Sequence, residues 1–323
     1  MLVRIDGTTA RYHWIIYAIV PGNDRRSLIF SPGNPFAYKT QNFMYQAPLP
    51  PIWFGTSGLV LPVPNKQSFP AEFRSGSRLT YYASLFNSIE INSSFYKIPQ
   101  PATFTKWTRE VPDDFRFTVK LWRGITHVPD LAFIPIDVNK FMHAADHLFE
   151  KKGCLLIQFP PSLKAYRLPQ LQRLLERLLQ TDPQHSWKIA VEFRNRTWYK
   201  KEVDDLLDSF HASRVLHDMP DSKTIEPLND PFVYLRFHGP TGDYKGGYGE
   251  KALRPYADHI RRWRQEGKEV FVYFNNTAGD AIADLNTLRA MCTARPGDTS
   301  PGLTANLRPG LAPDPNLTSD VHR

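Results

Sequence analysis

The stretch Phe232-Val-Tyr-Leu-Arg-Phe-His-Gly239 alternates strictly, with Val233, Leu235 and Phe237 on one side and Tyr234, Arg236 and His238 on the other. A period of two marks a strand with two different environments. Charged residues at its last positions are followed at once by the glycine-rich run Gly239–Gly249. That order suits a strand of a parallel barrel, where polar residues at the carboxyl end face a shared mouth and the next loop closes over it.

The pattern recurs. Eight short apolar runs follow one another: Trp53–Ser57, Ser88–Phe95, Phe115–Trp122, Cys154–Phe159, Lys188–Arg194, Ser213–Asp218, the stretch at Phe232, and Glu269–Asn275. Between them lie segments with helical spacing: Arg78–Phe86, the segment holding Phe104, Trp107 and Val111, then Val138–Glu150, Leu168–Leu179, Lys201–Ala212, Ala252–Glu266 and Ala278–Met291. Leu168–Leu179 is the clearest amphipathic helix. Alternating strand and helix predicts an α/β fold with parallel strands, and eight units predict a (β/α)8 TIM barrel. The link after the sixth run is short and carries prolines, so helix six is expected to be missing or degenerate. No GxGxxG follows the first strand, against a dinucleotide-binding sheet. The division expected is a partly disordered N-terminal extension over 1–50, the barrel over 51–292, and a disordered Pro/Gly-rich tail over 293–323.

A net charge of +8 over 323 residues admits a small anionic ligand or nucleic acid as partner. Cys154 and Cys292 stand far apart without CxxC spacing, which points to a reducing cytoplasmic setting and away from a zinc site or disulfide scaffold. The apolar run Tyr12–Val20 is too short to span a bilayer, so no membrane association is expected. No cofactor motif and no Ser-His-Asp order appears.

The carboxyl ends of the runs supply the chemistry. They carry Glu90 and Asn92, Lys120, Gln158, Glu192 and Arg194, Asp218, Arg236 and His238, then Tyr273 and Asn275. Burying polar groups costs kcal/mol each unless they meet partners, so one on nearly every strand implies a common site. A structural plug of ion pairs among Glu192, Arg194 and Arg236 is the competing explanation. Tyr244, Lys245 and Tyr248 in the glycine loop, and His127 after the third run, could reach the same place.

The preferred reading is an enzyme using acid–base chemistry on a small anionic substrate, phosphorylated or carbohydrate-like. Glu90 or Glu192 would act as acid or base, with Asp218 and His238 relaying protons. Lys120, Arg194 and Arg236 would hold the anion. One alternative is a metal-dependent barrel of isomerase or endonuclease type, with a divalent metal on Glu192, Asp218 and His238. Another is a non-catalytic nucleic-acid binder acting through Arg261-Arg-Trp-Arg264.

Several motifs occur in a familiar order: Gly55-Thr-Ser-Gly58, Phe86-Asn-Ser-Ile-Glu-Ile-Asn-Ser-Ser-Phe-Tyr96, Pro112-Asp-Asp-Phe-Arg-Phe-Thr-Val-Lys120, Ile125-Thr-His127 and Gln158-Phe-Pro-Pro161. Glu192-Phe-Arg-Asn195, Tyr234-Leu-Arg-Phe-His-Gly239 and Val272-Tyr-Phe-Asn-Asn276 complete the set. Together they resemble the YecE-like family, also called domain of unknown function 72, over residues 52–291. The resemblance implies a TIM barrel and no established reaction. Leu59-Val-Leu-Pro departs from it, since many members carry an aromatic residue there.

Overall fold

Apolar runs and amphipathic segments become strands and helices in the computed structural model, which describes residues 48–220 and 230–293 and the strands Ile15–Ile19, Arg25–Ile29 and Lys39–Gln41. Residues 1–50 and 51–323 form two units. In the first, the three strands pair antiparallel, with Ile15 opposite Ile29 and Ser27 opposite Gln41. An extension without a visible period therefore holds a small sheet. The disorder expected for the rest of 1–50 and for 294–323 falls outside the described residues.

In the second unit, β1 (Ile52–Thr56), β2 (Ser88–Ile91), β3 (Arg116–Lys120) and β4 (Lys152–Gln158) lead to β5 (Lys188–Glu192). They are followed by β6, split into Ser213–Arg214 and Leu216–His217, then β7 (Phe232–Phe237) and β8 (Glu269–Phe274). Every pairing among them is parallel. Neighbours in space are neighbours in sequence, and β8 lies beside β1 with Phe274 opposite Thr56.

Between β1 and β2 the backbone makes only an isolated bridge, Ser57 to Glu90. Side chains complete the join. Asn87 accepts from Phe54 N at 2.8 Å and donates to Ile52 O at 2.9 Å, while Tyr82 Oη accepts from Thr56 N at 2.7 Å and donates to Ser88 O at 3.1 Å. Position 55 must be glycine, because a Cβ there would sit 2.2 Å from Ser88 O.

The helices are α1 (Arg78–Leu85), α2 (Pro101–Arg109), α3 (Pro135–Ala145), α4 (Leu168–Thr181), α5 (Lys201–Ser209), α6 (Gly249–Gln265) and α7 (Ala281–Thr293). On α4, Leu171, Leu174, Leu175 and Leu178 are buried. Each such side chain contributes about 1.5–3 kcal/mol of burial. Alternation decides what each strand face meets. Val233, Leu235 and Phe237 join the core that includes helix residues, whereas Phe232 and Tyr234 join Trp53, Cys154, Phe271 and Tyr273 in a second cluster drawn from the strand segments alone.

The second run departs from expectation. Its strand stops at Ile91 and Ser93–Tyr96 forms a helical turn, because Ser94 Oγ bonds to Ile91 O at 2.9 Å and Lys120 O at 2.7 Å. The link after β6 carries no helix among its described residues, and 221–229 lie outside them. Both cysteines are free and buried. Among the described residues no helix is long and apolar enough to cross a membrane.

Candidate active site

The face of β7 turned from the helices presents Tyr234, Arg236 and His238 in succession. Arg236 is 2% exposed, and all five of its N–H donors are used. Nε donates to Glu90 Oε2 at 2.9 Å, and Nη2 donates to Glu90 Oε1 at 2.7 Å and Ser57 Oγ at 3.1 Å. Nη1 reaches Glu192 Oε2 at 2.6 Å and His238 Nε2 at 3.2 Å. Tyr234 Oη and Ser57 Oγ also donate to Glu90, and Asn92 Nδ2 donates to Ser57 Oγ at 2.8 Å.

Glu90 and Glu192 are fully buried. Burial alone would raise the Glu90 pKa, but the Arg236 charge and the hydrogen bonds from Arg236, Ser57 and Tyr234 outweigh it and hold it below the usual range. For Glu192, burial is likewise outweighed by Arg194 and Arg236, which hold it well below. Both groups are therefore carboxylates at neutral pH, and two anions face two guanidiniums. A charge pair at 4 Å is worth about 4 kcal/mol at an effective dielectric of 20, which opposes a desolvation cost of several kcal/mol per ion.

His238 lies above this layer. Its Nδ1–H donates to Asp218 Oδ1 at 3.1 Å, while Nε2 accepts from Arg236 and, at 3.0 Å, from Arg194 Nη2. An imidazole nitrogen facing two guanidiniums is unprotonated. Burial, then the Arg236 and Arg194 charges, lower the His238 pKa to about 4 despite the bond to Asp218. Asp218 also accepts from His238 N at 2.9 Å and from Tyr248 Oη. Those bonds overcome burial and lower its pKa.

The glycine loop closes beside it. Gly239 has φ +95°, and a Cβ there would sit 2.3 Å from Lys245 O. Gly239 N donates to Tyr248 Oη at 2.6 Å, Tyr244 N donates to His238 O at 2.7 Å, and the Tyr244 ring stands edge-on to His238 at 5.7 Å.

Lys120 ends β3 half-buried, with Nζ 4.2 Å from the centroid of Phe95. Among the described residues it has no hydrogen bond or ion pair. Burial and then the Arg236 charge lower its pKa to about 8, although Glu90 and Glu192 oppose this. His127 rests against the same Phe95, 4.9 Å between ring centroids, with Nδ1 2.9 Å from Thr126 Oγ1. Burial, Lys120 and Arg123 lower the His127 pKa to about 4. Gln158 stands opposite Glu192 in the β4–β5 register.

Glu90, Asn92, Glu192, Arg194, Asp218, Arg236, His238, Tyr244 and Tyr248 thus meet in one hydrogen-bonded or ring-contact network, with Lys120 inside the field of its charges. Five expected residues lie outside it: His127 against Phe95 and Thr126, Gln158 placed only by its register opposite Glu192, and three more. Tyr273 Oη bonds to Ser88 at 2.6 Å and Thr118 at 2.8 Å among the strand residues of the second cluster. Asn275 contributes its backbone N to Phe237 O at 2.7 Å. Lys245 is exposed on the loop.

Sequence reasoning missed Ser57 and Tyr234 as partners of Glu90. The hydroxyls of Gly55-Thr-Ser-Gly58 and the alternation Tyr234/Arg236 were the available signals. It also missed Asn276, whose Nδ2 holds Gly246 O and Asp284 Oδ2, both at 2.9 Å, and so pins the loop to α7.

A metal on Glu192, Asp218 and His238 does not fit. Glu192 and His238 Nε2 face guanidiniums, His238 Nδ1 faces Asp218, and among the described residues no three His, Cys, Asp or Glu side chains are grouped to hold an ion. On α6, Arg261 pairs with Asp258, Arg262 lies 3.7 Å from Glu266, and Trp263 is buried.

A family model described as "Protein of unknown function DUF72" matches residues 53–306. The UPF0759 protein YunF of Bacillus subtilis (strain 168) is 29% identical over 250 residues, covering 67% of this chain and 86% of the relative. The UPF0759 protein YecE of Escherichia coli (strain K12) is 28% identical over 161 residues, or 49% of this chain and 57% of the relative. A crystal structure of a DUF72 family protein from Enterococcus faecalis V583 superposes with a TM-score of 0.62 at 21% identity, covering 78% of this chain and 98% of that one. One from Thermotoga maritima MSB8 gives 0.61 at 25% identity, covering 74% and 98%. With the family model spanning most of the strand-and-helix unit, the chain belongs to the DUF72 family.

Proposed function

We propose that the chain is a (β/α)8 barrel of TIM type whose mouth carries out acid–base chemistry on a small anionic substrate, phosphorylated or carbohydrate-like. The ring order of parallel strands, with β8 beside β1, supports the barrel. The polar network sits at the carboxyl ends of the strands, where barrel enzymes place their sites.

One observation carries the functional reading. Each carboxylate and guanidinium of the network is paired, yet the Lys120 ammonium, inside the same field, has no counter-ion or hydrogen bond among the described residues. A partly buried cation that meets an aromatic ring but no counter-ion costs free energy unless a ligand supplies one. Arg194 adds Nη1, which has no partner among the described residues while Nε and Nη2 hold Glu192 and His238. Lys120 and Arg194 therefore bind the anion. Arg236, with every donor engaged, fixes Glu90, Glu192 and His238. Lys120, whose pKa is lowered to about 8, and the uncharged His127 that shares its contact with Phe95 exchange the proton.

The test is thermal unfolding with phosphate, sulfate and phosphorylated sugars added to the wild type, Lys120→Met and Arg194→Gln. A ligand at a hundred times its Kd stabilises by about 2.7 kcal/mol. The expected result is a rise in Tm for the wild type that both variants lose. A wild type indifferent to every anion, or variants that keep the full shift, would refute the reading.

A further inference from the structure

We propose that Lys120 is a nucleophile whose amine condenses with the carbonyl group of an anionic aldehyde or ketone, forming an imine at the mouth of the barrel. This rests on the reading of that mouth as an anion-binding active site and names the functional group the substrate carries there.

An amine attacks a carbonyl only as the free base, so a lysine used this way needs three things. It must have no carboxylate to hold its proton, it must sit where charge is disfavoured, and it must reach solvent-borne substrate. Lys120 meets all three. The acidic groups that act on it, Glu90 and Glu192, are saturated by Arg236 and Arg194. Burial and the charges of Arg236 and Arg194 disfavour the ammonium, against the cation–π contact of Nζ with Phe95 at 4.2 Å, which favours it, and Nζ has no hydrogen bond among the described residues. With the ammonium pKa brought to about 8, roughly one tenth of the side chain is free amine at pH 7, against less than a thousandth for an ordinary lysine. The side chain is only half-buried and so keeps contact with solvent.

The neighbours suit the remaining steps. His127 packs on the same Phe95, stays uncharged at neutral pH, and has Nε2 without a partner among the described residues while Nδ1 meets Thr126. It accepts and returns protons at that nitrogen. Arg194 Nη1 holds the anionic group, and Lys120, whose ammonium form also attracts it, meets the carbonyl as the free amine.

In the condensation, Nζ attacks the carbonyl carbon. The C–N bond forms as the C=O π bond opens, and both amine protons end on the oxygen, which leaves as water. One amine and one carbonyl give one imine and one water, with no oxidant or reductant. Protonated, that imine withdraws electrons from the adjacent carbon, which is what breaking a C–H or C–C bond there requires.

The experiment uses the full chain with dihydroxyacetone phosphate or pyruvate as probe, sodium cyanoborohydride to trap the imine, and peptide mapping by mass spectrometry. Trapping at Lys120 is expected at least tenfold above the exposed Lys245. Its rate should rise with pH through a midpoint near 8 and fall when inorganic phosphate competes. Lys120→Arg, which keeps the cation, should lose the adduct. Adducts spread evenly over exposed lysines overturn the imine. If phosphate still raises the Tm in that case, the anion-binding reading survives alone, and if it does not, both fall.

Discussion

Arg236 and Glu90 stand 146 positions apart in the chain and meet as a two-pronged ion pair with both partners buried, Nε–Oε2 at 2.9 Å and Nη2–Oε1 at 2.7 Å. Removing one member of such a pair leaves the other charged and dry. Glu90→Gln and Arg236→Met should each cost about 3–5 kcal/mol in urea denaturation. The double variant Glu90→Leu/Arg236→Met should cost clearly less than the sum of the singles. Arg236→Lys should not rescue, since an ammonium cannot supply five donors in a plane. Single losses below about 1 kcal/mol would show that the pair is not desolvated.

Acid should unfold the protein in two stages. His238 has an ordinary pKa of 6.5 when unfolded and about 4 when folded. As pH falls from 6.5 towards 4 the unfolded chain gains a proton that the folded one refuses, so stability is present above 6.5 and lost across that window, by up to about 3 kcal/mol. His127 adds to the same stage. Glu90 and Glu192, both lowered from 4.5, contribute stability that is lost only below that value. His238→Gln should flatten the curve between pH 6.5 and 4.5 and leave the lower stage. Parallel curves for the two proteins would contradict this.

Tyr248 ties the glycine loop to the network by donating to Asp218 and accepting from Gly239 N. Tyr248→Phe removes both bonds and leaves a partly buried carboxylate short of a donor, at about 1–3 kcal/mol. Limited proteolysis should then cut within 239–249 faster than in the wild type. Unchanged cleavage would place the loop's anchorage elsewhere, at Asn276 and Asp284.

The eight strand positions were readable because their spacing is periodic. Features without a period were not. The join of β1 to β2 rests on Tyr82 and Asn87 bonding to backbone, and nothing in the apolar pattern marks a side chain that replaces a ladder. Strand six is split around Val215, its first half pairing with β5 and its second with β7. In the site, the residue types were legible and their pairings were not. Arg236 and Lys120 look like equivalent cations in the sequence, both at strand ends. Only the fold shows that one has every donor engaged while the other has no counter-ion among the described residues. Tyr273 follows the same alternation as Arg236, yet its hydroxyl is taken by Ser88 and Thr118 on neighbouring strands.

An unmatched cation should destabilise the fold that holds it. Lys120 titrates at about 8 when folded and near 10.5 when unfolded. The penalty is therefore full below 8 and fades as pH rises to 10.5, with a size on the order of 1–3 kcal/mol. The decisive measurement is the unfolding free energy of Lys120→Met minus that of the wild type, without added anions, at pH 7 and at pH 10. The variant should be the more stable protein at pH 7, with the gain shrinking at pH 10. A variant that is less stable at both values would mean that Lys120 already has its partner within the protein, and no ligand would be needed to complete the site.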